Sequence, residues 1–218
     1  EMSASLVGSE MCIRDSTIFG DSPYQPSSGC AGNIYFIDLD KLVDEGLLEK
    51  EEILGYNWGT DESEIDYAAL HQNRCRILQK AFERFDTNAQ DFQNFVKKQS
   101  EWLEQYALFM ALKTDNLYKN WSEWPSEYRN PQTVALEKYQ KKNYNTITFW
   151  KFCQYKFFEQ WEDLKNYANS KGVYIIGDIS FYVGYDSVDV WAERQLFMMS
   201  ANDTPEYVAA AGPDKYSE

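Results

Sequence analysis

The chain has 218 residues, a net charge of −14 and 44% hydrophobic residues, so it can bury the core of one domain, or of one domain with a sizeable insertion. The negative charge argues against nucleic acid and anionic membranes as partners, because phosphate groups are bound by Lys and Arg. No segment approaches the ~18 consecutive apolar residues of a membrane span. Aromatic residues make up 17%, and since Tyr and Trp suit sugar rings as well as protein cores, a neutral partner is expected.

The residue types that bind metals are sparse and scattered. Cys12, Cys30, Cys75 and Cys153 show neither metal-ligand nor redox spacing, so we interpret them as reduced and mostly buried thiols. The one histidine, His71, lies in a helical pattern, which argues against a His-based catalytic triad or a His-rich metal site. No basic-then-apolar signal segment stands at the start, and together these observations predict a cytoplasmic protein without a metal.

The first two segments differ in character. Residues 1–16 show no helical or strand period and look like a translated sequencing-adapter scar, so we expect a non-native tail. Residues 20–33 are rich in Gly, Pro, Ser and Asn, which predicts a loop. Long loops in compact domains are usually functional or disordered. Because Pro23 and Pro26 flank Tyr24, we expect an ordered loop that presents Tyr24.

A short stretch of mixed character follows the loop. Tyr35–Ile37 is predicted to be extended, because it is apolar and partly aromatic. Asp38 or Asp40 is then expected to cap a helical turn, which ends at Gly46.

The central part of the chain is predicted to be helical. From residue 65 onward, apolar residues recur at steps of three and four. Ser63 is the expected N-cap of the first helix, and Thr87 with Gln90 forms a second expected capping box. The stripe that follows this box runs to Lys113, and such stripes are typical of helices packed on a core.

The helical pattern continues up to a glycine. Asn130-Pro131 is expected to open a shorter helix, and a final helix is predicted over about Thr146–Ser170. Gly172 can take the left-handed conformation that closes a helix. The next residues, Val173–Ile176, are mostly β-branched or aromatic and are bounded by glycines, which predicts a short buried strand.

Two carboxylates follow the predicted strand. Asp178 comes directly after it, and α/β barrels and open α/β sheets place their chemistry at the C-terminal ends of strands. Asp186 and Ser187 precede an apolar run. A purely structural interpretation is the alternative: Asp178 ends a strand, and Asp186 or Ser187 caps a helix.

The order of these elements favours an α/β fold. A helix-rich block of roughly 100 residues separates the loop from the strand, which is unusual for a free-standing helical bundle. We therefore expect a helical insertion between two strands of an α/β sheet or barrel. The sequence has no phosphate-binding glycine loop, no Cys-x-x-Cys pair and no His-Glu-x-x-His motif.

Five groups of motifs stand in a characteristic order along the chain. They are Gly20-Asp-Ser-Pro-Tyr-Gln25 with Ala31-Gly-Asn33; Trp102-Leu-Glu-Gln-Tyr-Ala-Leu-Phe109 with Lys113; Gln160-Trp161 with Leu164-Lys165 and Tyr167-Ala168; Gly177-Asp-Ile179 with Asp186-Ser-Val-Asp-Val-Trp191; and Pro213-Asp214 with Ser217. In this order they resemble the 4-α-glucanotransferase family, the amylomaltases or disproportionating enzymes of glycoside hydrolase family 77. The match covers about residues 19–217, and five motifs in order are specific where any one alone would be weak.

The resemblance implies a fragment of a (β/α)8 TIM barrel that carries a large helical insertion and is mostly helical in this chain. Residues 17–46 would form a barrel loop and the first helical turn. Residues 47–145 would form the helical insertion, and residues 146–218 a barrel helix, a strand and active-site loops. The first two barrel strands would precede the chain, so the barrel would be incomplete.

The resemblance also implies a reaction and a set of contacts. The reaction is retaining transfer of α-1,4-glucan segments to a glucose or maltooligosaccharide acceptor, with no cofactor. The nucleophilic Asp and the acid/base Glu of the family would lie beyond the end of this chain, so it contains no catalytic residue and is expected to be inactive alone. The implied substrate-binding residues are Ser22, Tyr24, Asp186, Asp178 and Tyr216, with Asp178 as a structural carboxylate behind the others and Tyr216 on a loop that closes over the substrate.

A second class of function stays open at this point. It is a non-catalytic, aromatic-rich helical module that binds a glycan or another protein. The flanking reading frame discriminates between the two classes, because downstream strands with the missing Asp and Glu favour the enzyme, whereas an immediate stop codon favours the module.

Overall fold

The computed structural model describes residues 26–59, 66–131, 133–176, 183–200 and 202–207. The α-helices in these residues are α1 (Leu39–Asp44), α2 (Lys50–Leu54), α3 (Tyr67–Arg84), α4 (Gln90–Lys98), α5 (Ser100–Asp115), α6 (Ser126–Arg129), α7 (Val134–Lys142), α8 (Tyr144–Ser170) and α9 (Val188–Ala192). Short 3-10 helices cover Ile34–Phe36, Trp121–Glu123 and Arg194–Leu196. Within the described ranges, β pairing is limited to one isolated bridge between Met199 and Pro205. None of the described helices is long and apolar enough to cross a membrane.

Helix α8 is the scaffold of the fold. It runs for 27 residues and packs against α3, α4, α5 and α7. Its ring Phe152 lies 4.8 Å from Phe85 and 5.5 Å from Phe82, measured between ring centres. Tilted and edge-to-face contacts of this kind add to the stabilisation that burial of each ring supplies. Aromatic rings therefore contribute to the core between α8 and its neighbours.

Helix α5 is buried on nearly all sides. Every residue from Tyr106 to Lys113 is buried, as is Leu103. A helix that is apolar all round lies inside a core rather than at the surface. Lys113 is the exception in this run, and a charge in such surroundings requires a partner.

Two buried glutamines of α8 hold the segment 32–38 in place. The side chain of Gln154 accepts the N–H of Gly32 at 2.7 Å and donates to its carbonyl at 3.0 Å. Gln160 does the same with Asp38, at 2.7 and 3.1 Å. Each side-chain amide therefore satisfies a backbone N–H and a carbonyl, as a neighbouring strand would in a sheet.

The prediction of an extended stretch at Tyr35–Ile37 is wrong, because a 3-10 turn covers Ile34–Phe36. Several carbonyls of the turn converge on the buried guanidinium of Arg74. Its Nε–H donates to the Ile34 carbonyl at 3.2 Å, and its Nη2 donates to two further carbonyls. Burial lowers the pKa of Arg74 to about 10, which leaves it charged at neutral pH.

Helix ends with a local signal were predicted correctly. Asp38 caps α1 and accepts the N–H of Asp40 at 2.9 Å. Gly172 has a φ of +76°, the left-handed conformation, and its N–H bonds a carbonyl of the last turn of α8. The helix predicted over about Thr146–Ser170 is confirmed as α8, which begins at Tyr144.

Three predicted helix starts were misplaced. Asp66 caps α3 and accepts the N–H of the third residue on at 2.9 Å, whereas Ser63 lies outside the described residues. The capping box predicted at Thr87 does not form, since α4 begins without a side-chain cap. Thr133 caps α7, so Pro131 lies before this helix rather than at its first position. Several residues in each stretch could serve as a cap, and tertiary packing decides among them.

The strand predicted at Val173–Ile176 does not form. These residues have no regular secondary structure, and Tyr174 and Ile176 are 79% and 81% exposed. A strand must pair its N–H and C=O groups with a neighbour, and no strand lies beside this segment within the described ranges. The described fold is therefore mostly helical.

The contact between Gly32 and α8 can be tested by substitution. A Cβ at Gly32 would lie 2.0–2.4 Å from ring atoms of Phe157, so the ring or the segment must move. We expect Gly32→Ala to lower the free energy of unfolding by about 1–3 kcal/mol, the usual range for overpacking. Urea unfolding followed by tryptophan fluorescence measures the change.

Gly55→Ala is the matched control. Gly55 has a φ of −72°, and the nearest atom to an added Cβ lies at 3.5 Å. The free energy of unfolding of this variant should therefore be unchanged or slightly higher. Equal unfolding midpoints for the two variants would contradict the packing of Gly32 on α8.

Candidate functional site

Of the five substrate-binding residues predicted from the sequence, the described ranges contain Asp186. Ser22, Tyr24, Asp178 and Tyr216 lie outside them, so their roles stay predictions. A sugar bound by both Tyr24 and Asp186 requires that they face one cavity, and this too stays a prediction, because Tyr24 lies outside the described residues. The site is accordingly built outward from Asp186.

The carboxylate of Asp186 is held by two groups from the helical region. Lys113, in the last turn of α5, forms an ion pair and hydrogen bond with its Oδ2. The backbone N–H of Trp121 donates to its Oδ1 at 3.2 Å. The side chains of Lys113 and Asp186 are 5% and 13% exposed, so this pair is almost removed from water.

The structural alternative for this stretch is resolved in favour of Ser187. Ser187 is the N-cap of α9, and its hydroxyl accepts the N–H of Val190 at 3.3 Å. Asp186 does not cap the helix and bonds Lys113 and Trp121 instead. Its carboxylate is therefore bonded to residues of the helical region and not to the start of α9.

The ammonium of Lys113 has a full set of acceptors. Besides Asp186 it donates to the carbonyls of Lys119, at 3.1 Å, and Tyr118, at 3.4 Å. An ammonium group has three N–H donors, which matches these three acceptors. Burial lowers the pKa of Lys113, and the charge of Asp186 opposes this shift.

The carboxylate of Asp186 keeps capacity for further hydrogen bonds. A carboxylate offers about four acceptor positions on its two oxygens. The described partners, Lys113 and Trp121, occupy two of them. Asp186 can therefore accept hydrogen bonds from hydroxyl groups without giving up either partner.

An aromatic and charged wall adjoins Asp186. The Trp121 indole N–H donates to the Tyr185 carbonyl at 2.7 Å, and the two rings lie 5.1 Å apart. The Arg194 guanidinium stacks on Trp121, 4.5 Å from the ring centre, and pairs with Asp203 at 2.8 Å. Its Nε and Nη2 atoms are buried and have no hydrogen-bond partner among the described residues.

Sequence reasoning missed this wall. From the sequence, residues 120–125 predict only a break in the helical pattern, and Arg194 belongs to no motif. The contacts join residues more than 60 positions apart, and no local motif marks them. Only the folded chain brings them together.

Residues 27–29, in the described part of the loop predicted over residues 20–33, pack beside this site. The N–H of Val188 donates to the Ser27 carbonyl at 2.8 Å, and the N–H of Gly29 donates to Asp189 Oδ2 at 2.9 Å. Burial raises the pKa of Asp189. Ser27 and Gly29 of the predicted loop therefore contact the start of α9, next to Asp186.

The described residues contain no group of three or more His, Cys, Asp or Glu side chains that could hold a metal ion. Among the described residues, Cys30, Cys75 and Cys153 form no disulfide. Cys30 is exposed, which differs from the burial expected of most of the cysteines.

Comparison with known proteins gives consistent relatives. The family model described as 4-alpha-glucanotransferase matches residues 8–218. The 4-alpha-glucanotransferase of Clostridium butyricum is 38% identical over 204 residues, which are 93% of this chain and 42% of that protein. That of Streptococcus pneumoniae is 42% identical over 206 residues, which are 92% of this chain and 40% of that protein.

A solved structure agrees with these relatives. The amylomaltase from Streptococcus agalactiae in complex with acarbose superposes with a TM-score of 0.86 at 35% identity, covering 94% of this chain and 42% of that one. The chain spans about 40% of the length of the curated relatives it matches. Because the family model matches residues 8–218, the chain belongs to the 4-alpha-glucanotransferase family, glycoside hydrolase family 77.

Proposed function

We propose that this chain is one part of an enzyme that transfers α-1,4-glucan segments to a glucose or maltooligosaccharide acceptor. The observation that carries the proposal is Asp186, a carboxylate held by Lys113 and Trp121 with acceptor positions to spare. Sugar hydroxyls donate to such carboxylates, and the partly exposed ring of Tyr185, backed by the buried Trp121, lies beside it. The acarbose-bound relative from S. agalactiae supports a carbohydrate ligand.

In the proposed enzyme, this chain binds the glucan, and the part that this chain does not span supplies the catalytic residues. In this proposal Asp186, Ser22 and Tyr24 bind the glucan, Asp178 is a structural carboxylate behind them, and Tyr216 lies on a loop that closes over the substrate. The nucleophilic Asp and the acid/base Glu of a retaining mechanism, ~5–5.5 Å apart, come from the part that this chain does not span. Neither a metal nor an organic cofactor takes part in this chemistry.

The proposed complete fold is a (β/α)8 barrel, of which residues 17–46 and 146–218 form part and residues 47–145 form a helical insertion. Uncovered apolar surface supports this fold. A groove of about 530 Å³ lies between α8 and the segment 36–41 and is lined by Phe36, Asp38, Lys41, Phe157, Gln160, Trp161, Asp163, Leu164 and Tyr167. Monomeric proteins rarely expose large apolar patches. The groove and the exposed Val173–Ile176 are the surfaces on which the missing strands would pack.

The setting proposed for the enzyme is a reducing compartment, the cytoplasm. The lack of a disulfide among the described cysteines, Cys30, Cys75 and Cys153, fits such a compartment. The net charge of −14 favours a neutral glucan over nucleic acid as the partner.

The first functional prediction compares two forms of the protein. The isolated 218-residue chain should not disproportionate maltotriose, because the catalytic carboxylates are absent. A grafted enzyme, in which this chain replaces the matching 42% of the S. agalactiae amylomaltase, should do so. Glucose release from maltotriose measures both.

Two outcomes would contradict the proposed function. One is glucose release by the isolated chain that a carboxylate substitution within it abolishes. The other is a grafted enzyme that folds, as shown by circular dichroism and a cooperative melt, but transfers no glucan. The second outcome would favour a non-catalytic binding module.

The second functional prediction concerns Asp186→Asn in the grafted enzyme. The change keeps the shape of the side chain but weakens the hydrogen bond to the glucan, so the transfer rate should fall about tenfold to a hundredfold. The melting temperature should fall too, because Lys113 loses its counter-charge in a buried site.

Lys156→Met controls for this loss of stability. Lys156 is also 5% exposed and is ion-paired, at 2.6 Å with Glu45 and 2.7 Å with Glu159, at a position on α8 away from Asp186. Its substitution should lower the melting temperature and leave the transfer rate unchanged. If Asp186→Asn transfers glucan as fast as Lys156→Met, Asp186 does not contact the substrate.

A further inference from the structure

Lys113 carries its charge at a buried position, where a charged side chain is costly and calls for an explanation. The residue lies in the fully buried stretch of α5, and its partner Asp186 is 73 positions further along the chain. Removing an ammonium group from water is strongly unfavourable unless every proton finds an acceptor. An apolar residue at this position would fill the core at lower cost, so the lysine is expected to serve the carboxylate that it holds.

The turn after α5 is shaped around this lysine. Leu117 and Tyr118 have φ values of 55° and 58°, a left-handed conformation that is uncommon and strained for residues other than glycine. Leu117 is 81% exposed, so packing of its side chain does not explain the strain. The turn directs the carbonyls of Tyr118 and Lys119 at the ammonium of Lys113.

The same segment also holds the carboxylate. Trp121, two residues after Lys119, donates its backbone N–H to Asp186 Oδ1 at 3.2 Å. Residues 118–121 therefore bind both members of the pair. Together with Lys113, they hold the carboxylate of Asp186 in one orientation. A rigid carboxylate with unused acceptor positions is what a sugar-binding site requires.

We propose that Lys113 is a positioning residue for glucan transfer: it fixes Oδ2 of Asp186 so that the remaining acceptor positions of the carboxylate bind the glucan. This inference rests on the proposed function and deepens it. It ties the helical region directly to the sugar site. Lys113 itself touches no substrate and acts only through Asp186.

A double-mutant cycle in the grafted enzyme tests this inference. Lys113→Met should lower kcat for maltotriose disproportionation about 10²-fold, the effect of misplacing a group that must be aligned. Adding Lys113→Met to Asp186→Asn should change kcat within about twofold, because the lysine then has nothing left to position. The double variant should also melt above either single variant, since neither charge is left buried and unpaired.

Lys156→Met is again the matched control, because its side chain is as buried as that of Lys113. It should lose stability and keep kcat within about twofold of the parent. A purely structural role for Lys113 would give the same pattern in Lys113→Met. Rates are compared at a temperature at which all variants are folded.

The outcomes separate the two proposals. An active grafted enzyme in which Lys113→Met behaves like Lys156→Met would overturn this inference alone. So would losses from Lys113→Met and Asp186→Asn that simply multiply in the double variant. A folded parent graft without any transfer would overturn the proposed function, and the positioning role with it.

Discussion

The ion pair between Lys113 and Asp186 is the constraint on which the rest of this structure depends. Its two side chains are 5% and 13% exposed, so both charges have lost most of their water. Such a pair is stable only when the geometry is good and the remaining donors and acceptors are satisfied. Here that requirement fixes the end of α5, residues 118–121 and the segment before α9 in one relative position. Moving any of these segments would leave a charge buried and unpaired.

The scaffold that meets this requirement is helical. Helix α8 supplies an aromatic core on one side, and its two glutamines hold the segment 32–38 through paired hydrogen bonds to the backbone. Loop residues Ser27 and Gly29 are then brought against α9, next to Asp186. The surroundings of Asp186 are therefore built from four distant segments, without a sheet in the described residues.

The sequence predicted the features that have a local physical signal. Periodicity gave α8 nearly residue by residue, and Asp38 and Gly172 marked helix ends correctly. Where the outcome depends on tertiary contacts, the sequence predicted less. Val173–Ile176 has the composition of a strand but no neighbour to pair with, and the turn at Ile34–Phe36 is drawn together by a buried arginine 40 positions away. Asp186 was found by resemblance, whereas its contact with Lys113 was not predictable, because the two residues are 73 positions apart.

The central claim is that Asp186 binds glucan while Lys113 holds it. A crystal structure of the grafted enzyme with acarbose tests this claim most directly. The account predicts a sugar hydroxyl within about 3.2 Å of an Asp186 oxygen, with Lys113 still bonded to Oδ2 and the Trp121 N–H still bonded to Oδ1. Acarbose bound elsewhere, with Asp186 enclosed by Lys113 and Trp121 and out of reach of every sugar hydroxyl, would contradict it.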